Sequence, residues 1–227
     1  MNSGRKMNRF TDRRAAGRLL AQELLDYADR SDVLITALPR GGVPVGYEIA
    51  TRLGAPLDVL VVRKIGTPWN EELAIGAVAS GGTLMLDNTL ISELRIGKAE
   101  LDRIIAAELR ELERRDALYR GHRRFPELAG RVVIVVDDGL ATGASMLAAL
   151  RAIRQHSPAN LIVAVPVASR SAVAVVEEVA DSCVTLMIPE PLYGVGMYYD
   201  DFSQTSDNEV LALLELAARS QADTLTE

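Results

Sequence analysis

The sequence contains little cysteine, histidine or aromatic side chain, and each shortage removes a class of function. The 227 residues include one cysteine, two histidines, one tryptophan and three phenylalanines. A single cysteine cannot form an internal disulfide, and two histidines without metal-ligand spacing do not make a zinc site, a haem site or a Ser-His-Asp hydrolase triad. We therefore expect Cys183, in the apolar run of residues 183–188, to be a buried strand residue.

Long apolar runs and an excess of basic residues are missing as well. No run approaches the roughly 18 apolar residues of a membrane span. Residues 1–14 are basic but contain no apolar signal-peptide core. The formal net charge of -6 argues against nucleic-acid binding through bulk electrostatics. We therefore expect a cytoplasmic protein with no membrane partner and no nucleic-acid partner.

The most informative stretch is residues 132–145, which read VVIVVDDGLATGAS. Its five β-branched residues, Val132–Val136, predict a strand buried on both faces of a parallel sheet. Asp137 and Asp138 then lie at the carboxyl end of that strand, where open α/β sheets bind ligands. Gly139–Ser145 supply small residues and hydroxyls before a helix, so their amides can hold a phosphate. The aspartates would repel a phosphate and are expected to bind sugar hydroxyls or magnesium, unless the segment is an ordinary turn.

Strands and helices alternate at short intervals, without a repeat of roughly 20 to 50 residues. The alternation predicts an α/β fold with a doubly wound, mainly parallel sheet and helices on both faces. We expect a single domain, with a core of about residues 31–188 and a small hood from about residues 10–30 and 189–220. The predicted elements are helix 10–29, strand 33–38, helix 43–53, strand 57–62, loop 63–72, strands 74–79 and 83–87, helix 98–120, strand 132–136, helix 146–156, strand 160–167, helix 171–180, strand 183–188 and helix 208–218 with Asp207 as its cap.

A second candidate site follows the first predicted strand. Residues 38–46 read LPRGGVPVG and lie between a strand and a helix, so their backbone amides face the position of an anion. Arg40 adds positive charge beside Gly41 and Gly42. A turn with a solvated arginine explains this pattern as well when it stands alone. The anion-binding interpretation is favoured because this would be a second strand-end anion site in the same sheet.

Arg63 and Lys64 follow the next predicted strand, and the polar, Gly- and Pro-containing residues after them predict a mobile loop. The two cations are placed to offset the charge of a leaving anion, with residues 66–72 closing over the reaction as a lid. Glu71 and Glu72 are candidates for a general base. Solvated side chains at a strand end would have the same pattern, so both interpretations stay open.

Residues 132–145 resemble the phosphoribosyl pyrophosphate signature of the type I phosphoribosyltransferases, a hydrophobic strand, two acidic residues and Gly-Leu-Ala-Thr-Gly-Ala-Ser. The resemblance implies an enzyme that uses Mg²⁺ and moves 5-phosphoribosyl from its pyrophosphate to a nitrogen acceptor such as a nucleobase. Asp137 and Asp138 would then be catalytic residues that bind the ribose hydroxyls and the metal. The 5'-phosphate would be held by Ala141, Thr142, Gly143, Ala144 and Ser145.

The resemblance also covers the second site. Arg40, Gly41 and Gly42 would bind pyrophosphate, in a loop where family members often hold a non-proline cis peptide. The matching bond in this sequence joins Pro39 to Arg40.

Residues 193–200, YGVGMYYD, resemble the late hood segment of the purine enzymes. Tyr193 would stack on an aromatic acceptor, Tyr199 would pack on its other side, and Asp200 would approach the base or the metal. A small hydrophobic cluster that closes the C-terminal helix is the alternative. The base-reading lysine of the purine enzymes has no counterpart here, since the matching stretch ends in Arg170, so the identity of the base stays open.

The resemblance leaves two classes of function open. Arg63 and Lys64 would be catalytic by neutralising the leaving pyrophosphate, which favours an enzyme. A regulator that senses phosphoribosyl pyrophosphate without turning it over would keep the same ribose-phosphate motif, although no basic DNA-binding domain supports a repressor. A phosphohydrolase would need a water-activating base that the sequence does not offer. Residues 98–120 lie outside the family's usual small core, and a homodimer is left open as the assembly.

Overall fold

The computed structural model describes residues 9–121 and 123–224. The strands are β1 Val33–Ala37, β2 Leu57–Val59, β3 Val62–Thr67, β4 Asn70–Ala79, β5 Thr83–Leu86, β6 Val132–Val136, β7 Asn160–Val167 and β8 Ser182–Met187. The helices are α1 Arg13–Gln22, α2 Gly42–Leu53, α3 Asn88–Glu93, α4 Lys98–Arg120, α5 Ala144–Arg154, α6 Arg170–Glu177 and α7 Asp207–Thr224. None of the helices in these two ranges has the length and apolar character needed to cross a membrane.

Five parallel strands form the main sheet in the order β2-β1-β6-β7-β8. The central strand β6 is buried throughout, as its β-branched sequence predicted. Ile134 and Val136 pack in the cluster that includes α1, α2 and α7, whereas Val133 and Val135 pack with α5 and α6. Each such side chain contributes about 1.5–3 kcal/mol by leaving water. The predicted α/β fold with helices on both faces is confirmed.

Strands β3, β4 and β5 form a separate antiparallel sheet. The predicted β4–β5 hairpin is confirmed, but the prediction of a loop at residues 63–72 is wrong, because β3 and β4 pair across it. The Thr67 hydroxyl donates to the Asn70 carbonyl at 2.9 Å and closes a turn around Pro68 and Trp69. A Cβ atom on Gly66 would lie 2.5 Å from Glu71, so this glycine permits a β-bulge. Gly66 and Pro68 thus form the bulge and the turn of the β3–β4 hairpin.

The two predicted hood segments contact each other. The Phe10 amide donates to the Tyr198 carbonyl at 2.8 Å, and the Asp200 amide donates back to the Phe10 carbonyl at 2.8 Å. These bonds bring the start of α1 next to the segment that precedes α7. The division of the chain into core and hood stays a prediction.

Two helix predictions need correction. Helix α1 covers only part of residues 10–29, because a short 3₁₀ turn at Leu25–Tyr27 follows it. Helix α7 is capped by Ser206, whose hydroxyl accepts from the Glu209 amide at 3.1 Å. Asp207, the predicted cap, instead accepts a hydrogen bond from the Tyr119 hydroxyl at 2.5 Å. The serine caps the helix because it lies three residues before the open amide.

Candidate functional site

The loops that follow β1 and β6 lie against each other, because these strands are parallel neighbours. The Leu38 amide donates to the Val136 carbonyl at 2.9 Å and continues the pairing beyond β1. A Cβ atom on Gly41 would collide with Oδ2 of Asp138, and one on Gly42 would lie 2.6 Å from the Val136 carbonyl oxygen. Only glycine fits either position without movement. The structure therefore joins the predicted anion loop to the acidic pair.

The Pro39–Arg40 peptide bond is cis, as the resemblance implied. Gly41 is the N-cap of α2, so the loop runs directly into a helix N-terminus, where open amides and the helix dipole favour an anion. The Arg40 side chain is about one-third exposed, and its guanidinium lies 3.9 Å from the Asp207 carboxylate. This geometry is compatible with pyrophosphate binding, which stays a prediction.

The loop between β6 and α5 is braced by the neighbouring strand. The Leu140 amide donates to the Val167 carbonyl at 2.9 Å, and the Ser169 hydroxyl donates to the Ala141 carbonyl at 2.7 Å. Gly143 has φ of 76°, a left-handed conformation that glycine adopts without strain, and it caps α5. The exposed residues around this helix N-terminus are Ala141, Thr142, Ala144 and Ser145. A fixed loop with exposed small residues suits the phosphate role predicted for it.

The two carboxylates of the acidic pair differ in how strongly the structure raises their pKa values. Asp137 accepts a hydrogen bond from the Asp138 amide at 2.8 Å. Burial raises the pKa of Asp138, and burial together with the Asp138 charge raises the pKa of Asp137 well above its usual range. Arg13 opposes the effect at Asp138, since its Nε donates to Oδ2 at 2.7 Å. The pair therefore favours a negative charge on Asp138 over one on Asp137.

Arg13 is a site residue that the sequence analysis missed. Its side chain and that of Asp138 are only 12% and 16% exposed. Its Nη1 also donates to the Ser203 carbonyl at 2.7 Å, and the guanidinium lies 3.9 Å from the centre of the Phe202 ring. Arg13 thus joins α1, the acidic pair and the segment before α7. The contact joins residues 125 positions apart, so no local pattern could reveal it.

Tyr199 is 2% exposed, and its side chain holds the main chain of the acidic pair. Its hydroxyl donates to the Asp138 carbonyl at 2.6 Å, and burial raises its pKa. Its ring lies 5.4 Å from Phe10 and 5.0 Å from Phe202, measured between ring centres. In this arrangement Tyr199 positions Asp138, and its predicted contact with an acceptor would require these neighbours to separate.

The other two predicted acceptor residues are exposed. Tyr193 is 80% exposed, and Asp200 forms an ion pair with Arg9 at 3.5 Å. Among the residues that the structure describes, no three or more His, Cys, Asp or Glu side chains are grouped as metal ligands, so Asp200 does not join Asp137 and Asp138 in a preformed site. Mg²⁺ commonly binds one or two carboxylates together with substrate oxygens and water, and the aspartate pair fits that mode.

Arg63 and Lys64 do not converge. They are adjacent on β3, so their side chains leave opposite faces of the strand. Arg63 donates to Glu108 of α4 at 2.8 Å, whereas Lys64 lines a cavity of about 840 Å³ between the small sheet and α5. Their joint role at a leaving group stays a prediction, and it requires β3 to move. Glu71 is exposed, and the side chain of Glu72 lies outside the described residues.

Comparisons with known proteins show which family the chain resembles. Residues 8–201 match the family model described as "Phosphoribosyl transferase domain". Two Mycobacterium tuberculosis proteins, "Putative phosphoribosyl transferase MT0597" of strain CDC 1551 and "Putative phosphoribosyl transferase Rv0571c" of strain H37Rv, are each 43% identical over 218 residues. The matches cover 96% of this chain and 49% of each relative, so the chain spans about half their length. The crystal structure of TT1426 from Thermus thermophilus has a TM-score of 0.80 and 44% identity, covering 91% of this chain and 97% of that chain.

Proposed function

Since the chain belongs to the phosphoribosyl transferase domain family, we propose that it transfers 5-phosphoribosyl from phosphoribosyl pyrophosphate to a ring nitrogen of a small aromatic acceptor, such as a nucleobase. The observation that carries this proposal is the contact between the two strand-end loops, in which Gly41 lies directly against Asp138. A donor that holds its pyrophosphate on one loop and its ribose on the other would bridge them.

In the proposed reaction the bond between ribose C1 and pyrophosphate breaks, and its electron pair leaves with the pyrophosphate. The acceptor nitrogen forms the new bond to C1 and loses a proton to the solvent. Positive charge develops on the ribose as the first bond lengthens, so positioning and charge matter more than a covalent nucleophile. Asp138 would hold ribose hydroxyls, the amides of residues 142–145 the 5'-phosphate, and residues 40–42 the pyrophosphate.

Magnesium belongs to the proposal as a cofactor that would supply positive charge opposite the pyrophosphate oxygens. Asp137 and Asp138 would hold it together with substrate oxygens. Carboxylates must be ionised to bind a metal, and burial raises the pKa of both. Magnesium affinity should therefore fall as the pH falls through the titration of this pair.

A cytoplasmic location is also part of the proposal, and the single cysteine supports it, because oxidising compartments favour disulfides. A homodimer stays a prediction.

The rival function is a regulator that binds the same donor without turnover. One observation favours it: the side chains of Arg63 and Lys64 diverge, so no cation pair faces the pyrophosphate loop from β3. An enzyme would need the β3–β4 hairpin to move during the reaction, whereas a sensor would not.

Calorimetry of phosphoribosyl pyrophosphate binding, combined with an assay of pyrophosphate release, separates the two functions. Nucleobases and other ring-nitrogen compounds are supplied one at a time with magnesium. Release with one acceptor supports the transferase and identifies its substrate. Tight donor binding without release across the panel supports the sensor.

A further inference from the structure

A cavity of about 480 Å³ borders the Pro39–Arg40 loop, apart from the residues assigned above to ribose and its phosphate. Its walls come from this loop, the last turns of α4 and the beginning of α7. The polar side chains that line it are those of Arg40, Arg114, Arg115, Tyr119 and Asp207. Three guanidinium groups and one carboxylate line it, and Glu111 supplies a second carboxylate behind two of the arginines, so one net positive charge remains.

Glu111 holds two of these arginines from outside the cavity. Its carboxylate accepts from Nε and Nη2 of Arg114, at 2.8 and 3.0 Å, and from Nε of Arg115 at 2.8 Å. These hydrogen bonds lower the pKa of Glu111 to about 2, so it stays ionised at neutral pH. The bond to Arg115 uses only Nε, which leaves the Nη atoms of that guanidinium for a ligand. The two side chains are therefore oriented before any ligand binds.

Asp207 is held by another hydrogen bond on the opposite wall. The Tyr119 hydroxyl donates to its Oδ1 at 2.5 Å. Burial and the nearby Asp207 raise the pKa of Tyr119 to about 12, so the tyrosine keeps its proton. Arg40 lies 3.9 Å from the same oxygen, at the outer limit of an ion pair. Arg40 can therefore turn to a stronger anion at little cost.

We propose that this cavity binds a phosphoanion with at least two phosphate groups, at a site separate from that of the ribose 5'-phosphate. A planar guanidinium group matches phosphate oxygens in pairs. Arg115 keeps both of its Nη atoms, and Arg40 is engaged only at 3.9 Å, so these two groups can bind a ligand with several phosphate oxygens. The volume lies within the usual range of about 300–1,000 Å³ for small-ligand sites. Arg40 belongs to both this cavity and the loop proposed to bind pyrophosphate, so occupancy of one site alters the charge presented at the other.

Calorimetry with inorganic tripolyphosphate tests the site without turnover. The double variant Arg114→Ala/Arg115→Ala should bind the probe at least tenfold more weakly than the wild type. The control Arg103→Ala/Arg110→Ala removes the same charge from exposed positions of α4 that do not line the cavity, and it should bind within about twofold of the wild type. Equal losses in both variants, or no loss in the first, would overturn the proposal.

A variant that is expected to bind more tightly is a second test, because a misfolded protein would not gain affinity. Asp207→Asn keeps an oxygen for the Tyr119 hydroxyl but removes the negative charge, so tripolyphosphate should bind at least twofold more tightly. Unchanged or weaker binding would count against the site. Ribose 5-phosphate, which probes the loop before α5, should bind equally to the wild type and the Arg114→Ala/Arg115→Ala variant.

The same calorimetry with a nucleoside triphosphate in place of tripolyphosphate shows whether the natural ligand of the cavity is a nucleotide. These binding results do not depend on pyrophosphate release. They therefore stand or fall separately from the proposed transferase activity.

Discussion

Replacing Arg13 with methionine tests whether α1 holds the acidic pair in its charged arrangement. The substitution removes a guanidinium that donates to Asp138 and to the Ser203 carbonyl, both at 2.7 Å. Methionine keeps an unbranched apolar stem that can still pack against Phe202. What is lost is therefore mainly the charge and its hydrogen bonds.

The structure sets the size of this effect. Removing one partner of a buried ion pair costs about 3–5 kcal/mol. The side chains of Arg13 and Asp138 are 12% and 16% exposed, so we expect the lower end, about 3 kcal/mol of unfolding free energy. In a chain of this size that corresponds to a melting temperature lower by roughly 6–12 °C.

The loss should also depend on pH. Burial raises the pKa of Asp138, and Arg13 lowers it, so the variant has a still higher folded-state pKa. A raised folded-state pKa means that stability is lost as the pH rises through it. The variant should therefore be most destabilised at neutral pH, and the electrostatic part of the loss should vanish below the ordinary value of 3.8, where Asp138 is protonated in both states.

A double-mutant cycle provides the assay. Urea unfolding is followed by circular dichroism for the wild type, Arg13→Met, Asp138→Asn and the double variant, at several pH values. Asp138→Asn should recover at least half of the stability lost by Arg13→Met, because it removes the unpaired carboxylate. Additive effects, or a loss from Arg13→Met that does not change with pH, would refute the reasoning.

Three further predictions concern other residues. Gly42→Ala places a Cβ atom 2.6 Å from the Val136 carbonyl oxygen and should cost about 1–3 kcal/mol in urea unfolding, whereas Gly97→Ala, with open space around it, should cost less than Gly42→Ala. Asp137→Asn should raise the melting temperature at neutral pH, because the raised pKa of Asp137 means that its charge destabilises the fold there; an unchanged melting temperature would contradict this. Burial raises the pKa of Cys183 to about 11, so at pH 8 only about one thiol in a thousand is ionised and Ellman's reagent should react slowly until urea unfolds the protein.

Much of the central sheet could be predicted because its residues carry their own signal. The β-branched run of β6 and the largely apolar stretch of β7 predicted bounds that match the structure, Val132–Val136 and Asn160–Val167. The long helix Lys98–Arg120 also matches, since its periodic apolar stripe is interrupted neither by glycine nor by proline. The sequence also predicted both loops at the carboxyl ends of strands in one sheet, whereas their direct contact depends on β1 and β6 being neighbours.

The β3–β4 hairpin and the Arg13 contact could not be predicted from local patterns. Gly66 and Pro68 have the composition of a loop, and only pairing with β4 shows that they form a bulge and a turn. Arg13 is one basic residue among several in its helix, and its partner lies far away in the chain. Such long-range contacts depend on how the two ends of the chain meet.

Release of pyrophosphate from phosphoribosyl pyrophosphate by the wild type and Asp138→Asn, with magnesium and an acceptor that supports turnover, tests the central claim most directly. Asp102→Asn is the matched control, since Asp102 lies on α4 in an exposed pair with Lys98. We predict release by the wild type, a loss of about a hundredfold in Asp138→Asn and no change in Asp102→Asn. Equal release by Asp138→Asn and the wild type would contradict the account.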